Sequence, residues 1–139
     1  MWTDIIEIDA PADVVWRLTL DVEGWPALTP TMRRVERLDQ GPIRVGSAAR
    51  VWQPAQFPAV WTVTRVEADR EFSWQTRRPG LTMTGSHLLE PVEAGCRNTL
   101  TLDLAGPLAA PLGRLLGRVF GNALRTENAG FKAAAERSP

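Results

Sequence analysis

Between Met32 and Leu104 the chain is a succession of short apolar–polar alternations separated by turn formers. Such alternation is the two-residue period of half-buried strands. Strands are predicted near 32–38, 46–53, 59–67, 71–77, 81–90 and 96–105, divided by Gly41-Pro42, Pro54, Ala68-Asp69, Pro79-Gly80 and Ala94-Gly95. Joins this short make consecutive strands antiparallel neighbours. Upstream, Ile5-Ile6-Glu7-Ile8-Asp9 places a further strand over 3–9, ending at Ala10-Pro11. Pro11 suits the first position of a helix, with Asp9 or Ala10 as its cap, and Val14, Val15 and Leu18 follow at helical spacing. The turn-rich Asp21-Val22-Glu23-Gly24-Trp25-Pro26 leads into a second short helix that ends before Pro30. From Pro111 to about Arg137 the pattern becomes that of one long helix.

That helix is strongly amphipathic. At about 100° per residue, Leu112, Leu115, Leu116, Val119, Phe120, Ala123, Leu124 and Phe131 fall on one broad arc. Arg114, Arg118, Arg125, Lys132 and Glu136 gather opposite, while Glu127 projects from the middle of the apolar arc. Hairpin arithmetic identifies the strand face that meets it. A two- or four-residue loop at Pro79-Gly80 puts Phe72, Trp74, Thr76, Met83, Gly85, His87 and Leu89 on one face, and Glu71, Ser73, Gln75, Thr82, Thr84 and Ser86 on the other. The same logic across Ala94-Gly95 adds Leu100, Leu102 and Leu104 to the first face. Across Ala68-Asp69 it adds Trp61 and Val63, unless a three-residue loop there reverses that strand. Three hairpins agreeing on one apolar face support the register.

Composition narrows the function. The 139 residues fit one domain, at about 100–200 residues per domain. Sixteen basic and sixteen acidic side chains cancel, so the chain lacks the field of a dedicated nucleic-acid binder. One cysteine, Cys96, forms no internal disulfide, and one histidine builds no multi-histidine metal site; no cofactor is expected. There is no tyrosine to supply a phenol, and no glycine-rich phosphate loop. Charges occupy the N-terminal positions where a signal peptide has its apolar core, and Arg114, Arg118, Pro107 and Pro111 interrupt the most apolar stretch, Leu102 to Leu124. Stable membrane insertion is therefore not expected, and the cytoplasm is the default compartment.

One strand, two short helices, six antiparallel strands and a long C-terminal helix form a helix-grip order. Ile8-Asp9-Ala10-Pro11-Ala12-Asp13-Val14-Val15-Trp16 resembles the opening of the START-like SRPBCC superfamily, in its polyketide cyclase/dehydrase and lipid-transport branch. Asp21–Pro26 resembles that branch's next segment, with Leu28 where a second tryptophan is common. Val45-Gly46, Arg50-Val51, Gln53-Pro54, Trp61-Thr62-Val63 and the terminal Glu127…Phe131-Lys132 resemble it too. The resemblance implies an α+β fold in which a curved antiparallel sheet of about seven strands wraps the C-terminal helix. A curved sheet cannot pack on one helix along its whole length, so a cavity opens between them, the usual form of a small-ligand site. The expected lining is Gln53, Trp61, Val63, Phe72, Trp74, Met83, Gly85, His87, Leu100, Leu102, Leu116, Phe120 and Leu124. Gly85 either leaves room for ligand or accommodates the indole of Trp74.

Two side chains are candidates for chemistry. His87 points inward, and an imidazole with an ordinary pKa of about 6.5 suits proton transfer; the alternative is a core histidine that fills space and hydrogen-bonds one neighbour. Ser86 beside it points to the opposite face, so no serine–histidine pair forms. Glu127 facing an apolar cavity would have a raised pKa and could act as acid or base; the alternatives are pairing with an arginine near the cavity end or turning into solvent beyond the sheet's edge. Trp16, Trp25, Trp52, Phe57 and Trp61 either line the mouth or wedge the small helices onto the sheet. Val51 and Gln53 are expected inward with Trp52 outside, and the proline-stiffened Gln53–Pro58 loop is placed to cap an entrance. Cys96 reads as a buried, inert thiol. Three functions follow. The chain binds a small hydrophobic molecule that is polyketide-, lipid- or isoprenoid-like; or it is a cyclase or dehydratase using His87 and Glu127; or its amphipathic helix binds a membrane or a protein. The sheet's matching apolar face already accounts for that helix, which leaves the third reading the least support.

Overall fold

A computed structural model describes residues 1–137. The order is β1 (Trp2–Ile8), α1 (Ala12–Leu20), a 3-10 helix (Val22–Ala27), β2 (Arg34–Arg37), β3 (Ala48–Trp52), β4 (Ala59–Glu67), β5 (Glu71–Arg78), β6 (Leu81–Val92), β7 (Gly95–Ala105) and α2 (Ala109–Arg137). The seven strands form one antiparallel sheet in the order β1-β7-β6-β5-β4-β3-β2, curved around α2 in a helix grip. Two expected details change. Pro11 is the N-cap of α1 rather than its first residue, and no side chain caps the helix; the second short helix is 3-10.

The register matches the hairpin arithmetic at β5–β6–β7, where Phe72 faces His87, Trp74 faces Gly85, and Gly85 in turn faces Leu102. The β4–β5 hairpin reaches the expected face by a different route. Glu67 pairs with Glu71 across a three-residue loop, which alone would have turned Trp61 and Val63 outward. A bulge between Val63 and Arg65 inserts one residue and flips the strand back, so Val63 pairs with Trp74 and both tryptophans share the concave face.

Packing under α2 is heavily aromatic. Trp25 stands at the centre, with ring centroids 5.9 Å from Phe72, 5.0 Å from Trp74 and 5.8 Å from Phe131. Its indole N–H donates to the Leu18 carbonyl at 3.1 Å, which ties α1 to the 3-10 helix. Phe131 is fully buried, and truncating such a side chain to alanine costs about 3–5 kcal/mol. Gly130 lets α2 approach the end of the 3-10 helix: a Cβ there would lie 2.1 Å from the Leu28 carbonyl oxygen.

The long helix departs from its expected arc. Leu124, Phe131 and Ala135 are buried, but Leu115 and Val119 are exposed. Asn128 is fully buried instead. Its side-chain oxygen accepts from Asn98 Nδ2 at 2.9 Å, and its own Nδ2 donates to Asp4 Oδ2 at 2.9 Å and to the Asp4 and Asn98 carbonyls at 3.2 Å. This junction fixes α2 to β1 and β7. At the far end, Lys132 Nζ donates to the Glu7 carbonyl at 2.9 Å, and Glu136 accepts from Lys132 and from the Asp9 amide.

Candidate functional site

Away from the Trp25 cluster the sheet and helix diverge, leaving a cavity of about 500 Å³. Its sheet wall carries Trp61, Trp74, Met83, Gly85, Leu100 and Leu102, and its helix wall carries Phe120, Ala123 and Leu124. Trp25 and His87 lie at the inner end, and Pro30, Thr31, Pro54 and Gln56 contribute from loops. The wall is mostly apolar, and its polar members are Thr31, Gln53, Gln56, Ser86, His87, Thr101, Asn122, Thr126 and Glu127.

Of the residues expected from sequence, Gln53, Trp61, Trp74, Met83, Gly85, His87, Leu100, Leu102, Phe120, Leu124 and Glu127 lie on these walls. Val63, Phe72 and Leu116 do not. Phe72 is fully buried between Trp25, Trp74 and His87, where the concave face is solidly packed. Val63 faces the same way and is buried beside Trp74. The helical wall begins at Val119, one turn beyond Leu116. Thr31, Gln56, Asn122 and Thr126 were not anticipated. Asn122 and Thr126 recur with Val119 and Ala123 at helical spacing, a signal present in the sequence; the loop residues have none, because loop paths carry no periodicity.

Gly85 stands directly opposite Trp74. A Cβ at this position would lie 3.6 Å from the Trp74 indole and 3.8 Å from Trp61, which is ordinary contact. The missing side chain is therefore no steric requirement of the indole, although Trp74 and Trp61 both lie against the bare backbone. Trp52 lies outside, as its alternation implies, with the Arg34 guanidinium 4.7 Å above its ring. Val51 and Gln53 face the cavity.

The two titratable groups have opposite characters. His87 is nine-tenths buried against Trp25, at 5.0 Å and tilted 32°, and against Phe72 and Phe131. Burial without a compensating charge lowers its pKa to about 3, so the imidazole is neutral at physiological pH. Nδ1 has no hydrogen-bond partner among the described residues, contrary to the core-histidine expectation of one bonded neighbour. Glu127 faces the cavity from α2, and desolvation raises its pKa to about 7 against a smaller opposing effect of the Thr31 hydroxyl. Among the described residues no arginine pairs with Glu127, and no hydrogen bond joins it to His87. Cys96 is fully buried and its thiol pKa is raised by burial. No group of three His, Cys, Asp or Glu side chains among the described residues could hold a metal ion.

A curved antiparallel sheet gripping a C-terminal helix over an apolar cavity defines the helix-grip fold. The chain belongs to the polyketide cyclase / dehydrase and lipid transport family, whose model matches residues 3–136. Among solved structures, jhp0584 from Helicobacter pylori is 14% identical with a TM-score of 0.83, over 96% of this chain and 86% of that one. NE0264 from Nitrosomonas europaea is 18% identical with a TM-score of 0.73, over 97% of this chain and 93% of that one. BexL, a di-domain ARO/CYC from the BE-7585A biosynthetic pathway, is 28% identical with a TM-score of 0.72. That match covers 96% of this chain but 45% of BexL, so the chain spans less than half of that protein's length. No curated protein matches the sequence. The family and fold together support a role in hydrophobic-ligand binding or cyclisation.

Proposed function

We propose that this protein takes up a small, largely hydrophobic molecule, polyketide-, lipid- or isoprenoid-like, in the cavity between the sheet and α2. The observation that carries this reading is the cavity wall itself: three tryptophans, Trp25, Trp61 and Trp74, around about 500 Å³. Ligand sites typically enclose about 300–1,000 Å³ and are lined by apolar and aromatic groups with a few polar ones. The indoles supply flat, rigid surface for a ring system, and Gln53, Thr31 and Glu127 supply the few orienting hydrogen bonds. The test is titration of the protein with a polycyclic aromatic dye and with a fatty acid, following tryptophan fluorescence, beside native mass spectrometry of the freshly purified protein. Saturable quenching at one-to-one stoichiometry is expected. Quenching that never saturates, with no co-purifying mass, would overturn the reading.

A second reading, a cyclase or dehydratase, is favoured by Glu127. A carboxyl with a pKa of about 7 is matched to acid–base work at neutral pH. On a β-hydroxy ketone, the Glu127 carboxylate would take the α-proton as the carbon–carbon double bond forms, and would return it to the departing hydroxyl as water. His87, neutral at this pH, would act only as a hydrogen-bonding group that positions substrate. The similarity to BexL, an ARO/CYC, supports this reading at the level of its class.

A further inference from the structure

The cavity mouth carries a second chemistry that ligand binding does not use. Three segments converge there: the Gln53–Pro58 loop, the β5–β6 turn and the first half of α2. Arg78 Nη2 donates to the Phe57 carbonyl at 3.4 Å, joining the loop to the turn. The Leu108 amide donates to the Gly80 carbonyl at 3.0 Å, joining the turn to the start of α2. Pro54 and Gln56 of the loop and Val119 of α2 line the same opening.

On this end four large apolar side chains face solvent: Phe57 is 84% exposed, Leu115 79%, Val119 59% and Leu108 50%. Leu115 and Val119 lie on one stripe of α2, with Leu108 in the turn just before the helix, beside the stripe of Arg114, Arg118 and Arg125. All three arginines are exposed, as is Arg78 at the turn, and none of the four forms an ion pair among the described residues; Arg77 lies on the outer face of the sheet with Gln75. Opposing charge is scarce. The loop, the turn and α2 as far as Thr126 contain no acidic residue; Asp103 projects from the other face of β7, and Glu127 faces the cavity. The chain as a whole is neutral, so this concentration of unpaired arginine on one end is a local feature.

From this pairing of exposed apolar side chains with unopposed arginines around one opening, we infer that the cavity mouth is a peripheral docking face for an anionic lipid surface. Arginines beside an exposed apolar stripe match a bilayer interface, where headgroup phosphates meet acyl chains. Phe57, Leu115 and Val119 would enter the acyl boundary while Arg114, Arg118 and Arg78 meet the phosphates. The contact is interfacial, since no helix among the described residues is long and apolar enough to cross a membrane. Docked in this way, the opening of the cavity would face the lipid. The inference does not depend on the identity of the cavity ligand.

The experiment is co-sedimentation with vesicles of pure phosphatidylcholine and of phosphatidylcholine mixed with phosphatidylglycerol, at low and high salt, with light scattering of the protein alone. Partition into the anionic vesicles alone, weakened by salt, is expected. Each arginine near an anionic surface contributes about fivefold to partition, so Arg114→Gln/Arg118→Gln should weaken it about 25-fold. Leu115→Gln should weaken it separately, at unchanged salt dependence. Gly85→Leu, which fills the cavity, should leave vesicle binding intact, so that failure of the ligand reading and failure of this one are distinguishable. Equal partition into neutral and anionic vesicles, or none into either, would overturn the inference. So would a protein dimer that Leu115→Gln dissociates, which would make the patch a self-association surface.

Discussion

Trp74 and Gly85 face each other across β5 and β6, and the indole of one covers the open backbone of the other, 3.6 Å from the position of a Cβ. The pair determines how deep the cavity is on its sheet side. Gly85→Ala should fold normally, because the added methyl meets only ordinary contacts. Gly85→Leu should project into the cavity and weaken binding of an apolar dye at least tenfold with little change in melting temperature. Unaltered dye affinity in a folded Gly85→Leu protein would place the binding site elsewhere.

His87 and Glu127 should oppose each other in the pH dependence of stability. His87 is held at a pKa of about 3 from an ordinary 6.5, so the unfolded chain binds its proton first and stability is lost as pH falls below 6.5. Glu127 is raised to about 7 from 4.5, so the folded chain binds its proton first and stability is gained as pH falls from 7 to 4.5. Between pH 4.5 and 6.5 the two slopes, each up to about 1.4 kcal/mol per pH unit, have opposite signs and largely cancel. Urea denaturation across this window should therefore show Glu127→Gln losing stability on acidification and His87→Phe gaining it. Parallel pH profiles for the two variants would contradict the burial of one or both groups.

Asn128 should be among the most sensitive polar positions. Asn128→Ala removes the acceptor of Asn98 Nδ2 in a fully buried setting and the donor to Asp4 in a half-buried one. Leaving such groups unpaired should cost roughly 2–4 kcal/mol, read as a lower denaturation midpoint at unchanged m-value. Asn128→Leu should not rescue the loss, because Asn98 and Asp4 would still face it.

Binding and catalysis can be separated once a ligand is in hand. His87→Ala and Glu127→Gln should each retain affinity within about tenfold if the protein is a carrier, since each contributes at most one orienting hydrogen bond. A fall in product formation of about 100-fold or more in Glu127→Gln, at intact affinity, would make the cyclase or dehydratase reading the better one. The same fall in His87→Ala alone would be unexpected for an imidazole that stays neutral at physiological pH.

The strand faces were legible in the chain because a two-residue period and short loops leave few registers open. Phe72, Trp74, Met83, Gly85, His87, Leu100 and Leu102 share a face for that reason alone, whereas the family resemblance rests on other stretches, chiefly Ile8–Trp16, Asp21–Pro26 and Trp61–Val63. Glu127 was legible as an acid on the wrong arc of a helix. Trp61 and Val63 reached their face through a bulge at Thr64 that no pattern announces, because a bulge corrects a register without changing the alternation around it.

What the sequence by itself determined is therefore the element order, the antiparallel pairing and the identity of most cavity-facing strand residues, all consequences of local periodicity. Only the tertiary structure decided where the concave face is filled and where it is hollow. Trp25, carried in on a 3-10 helix, packs against Phe72 and closes one end, so that Phe72 and Val63 are core rather than lining. The same packing desolvates His87 and lowers its pKa, which no local signal could reveal, since a pKa shift depends on what surrounds a group in space. The outward stripe of Leu115 and Val119 was decided the same way. A helix arc records which residues are apolar; only the curvature of the sheet determines how much of that arc is covered.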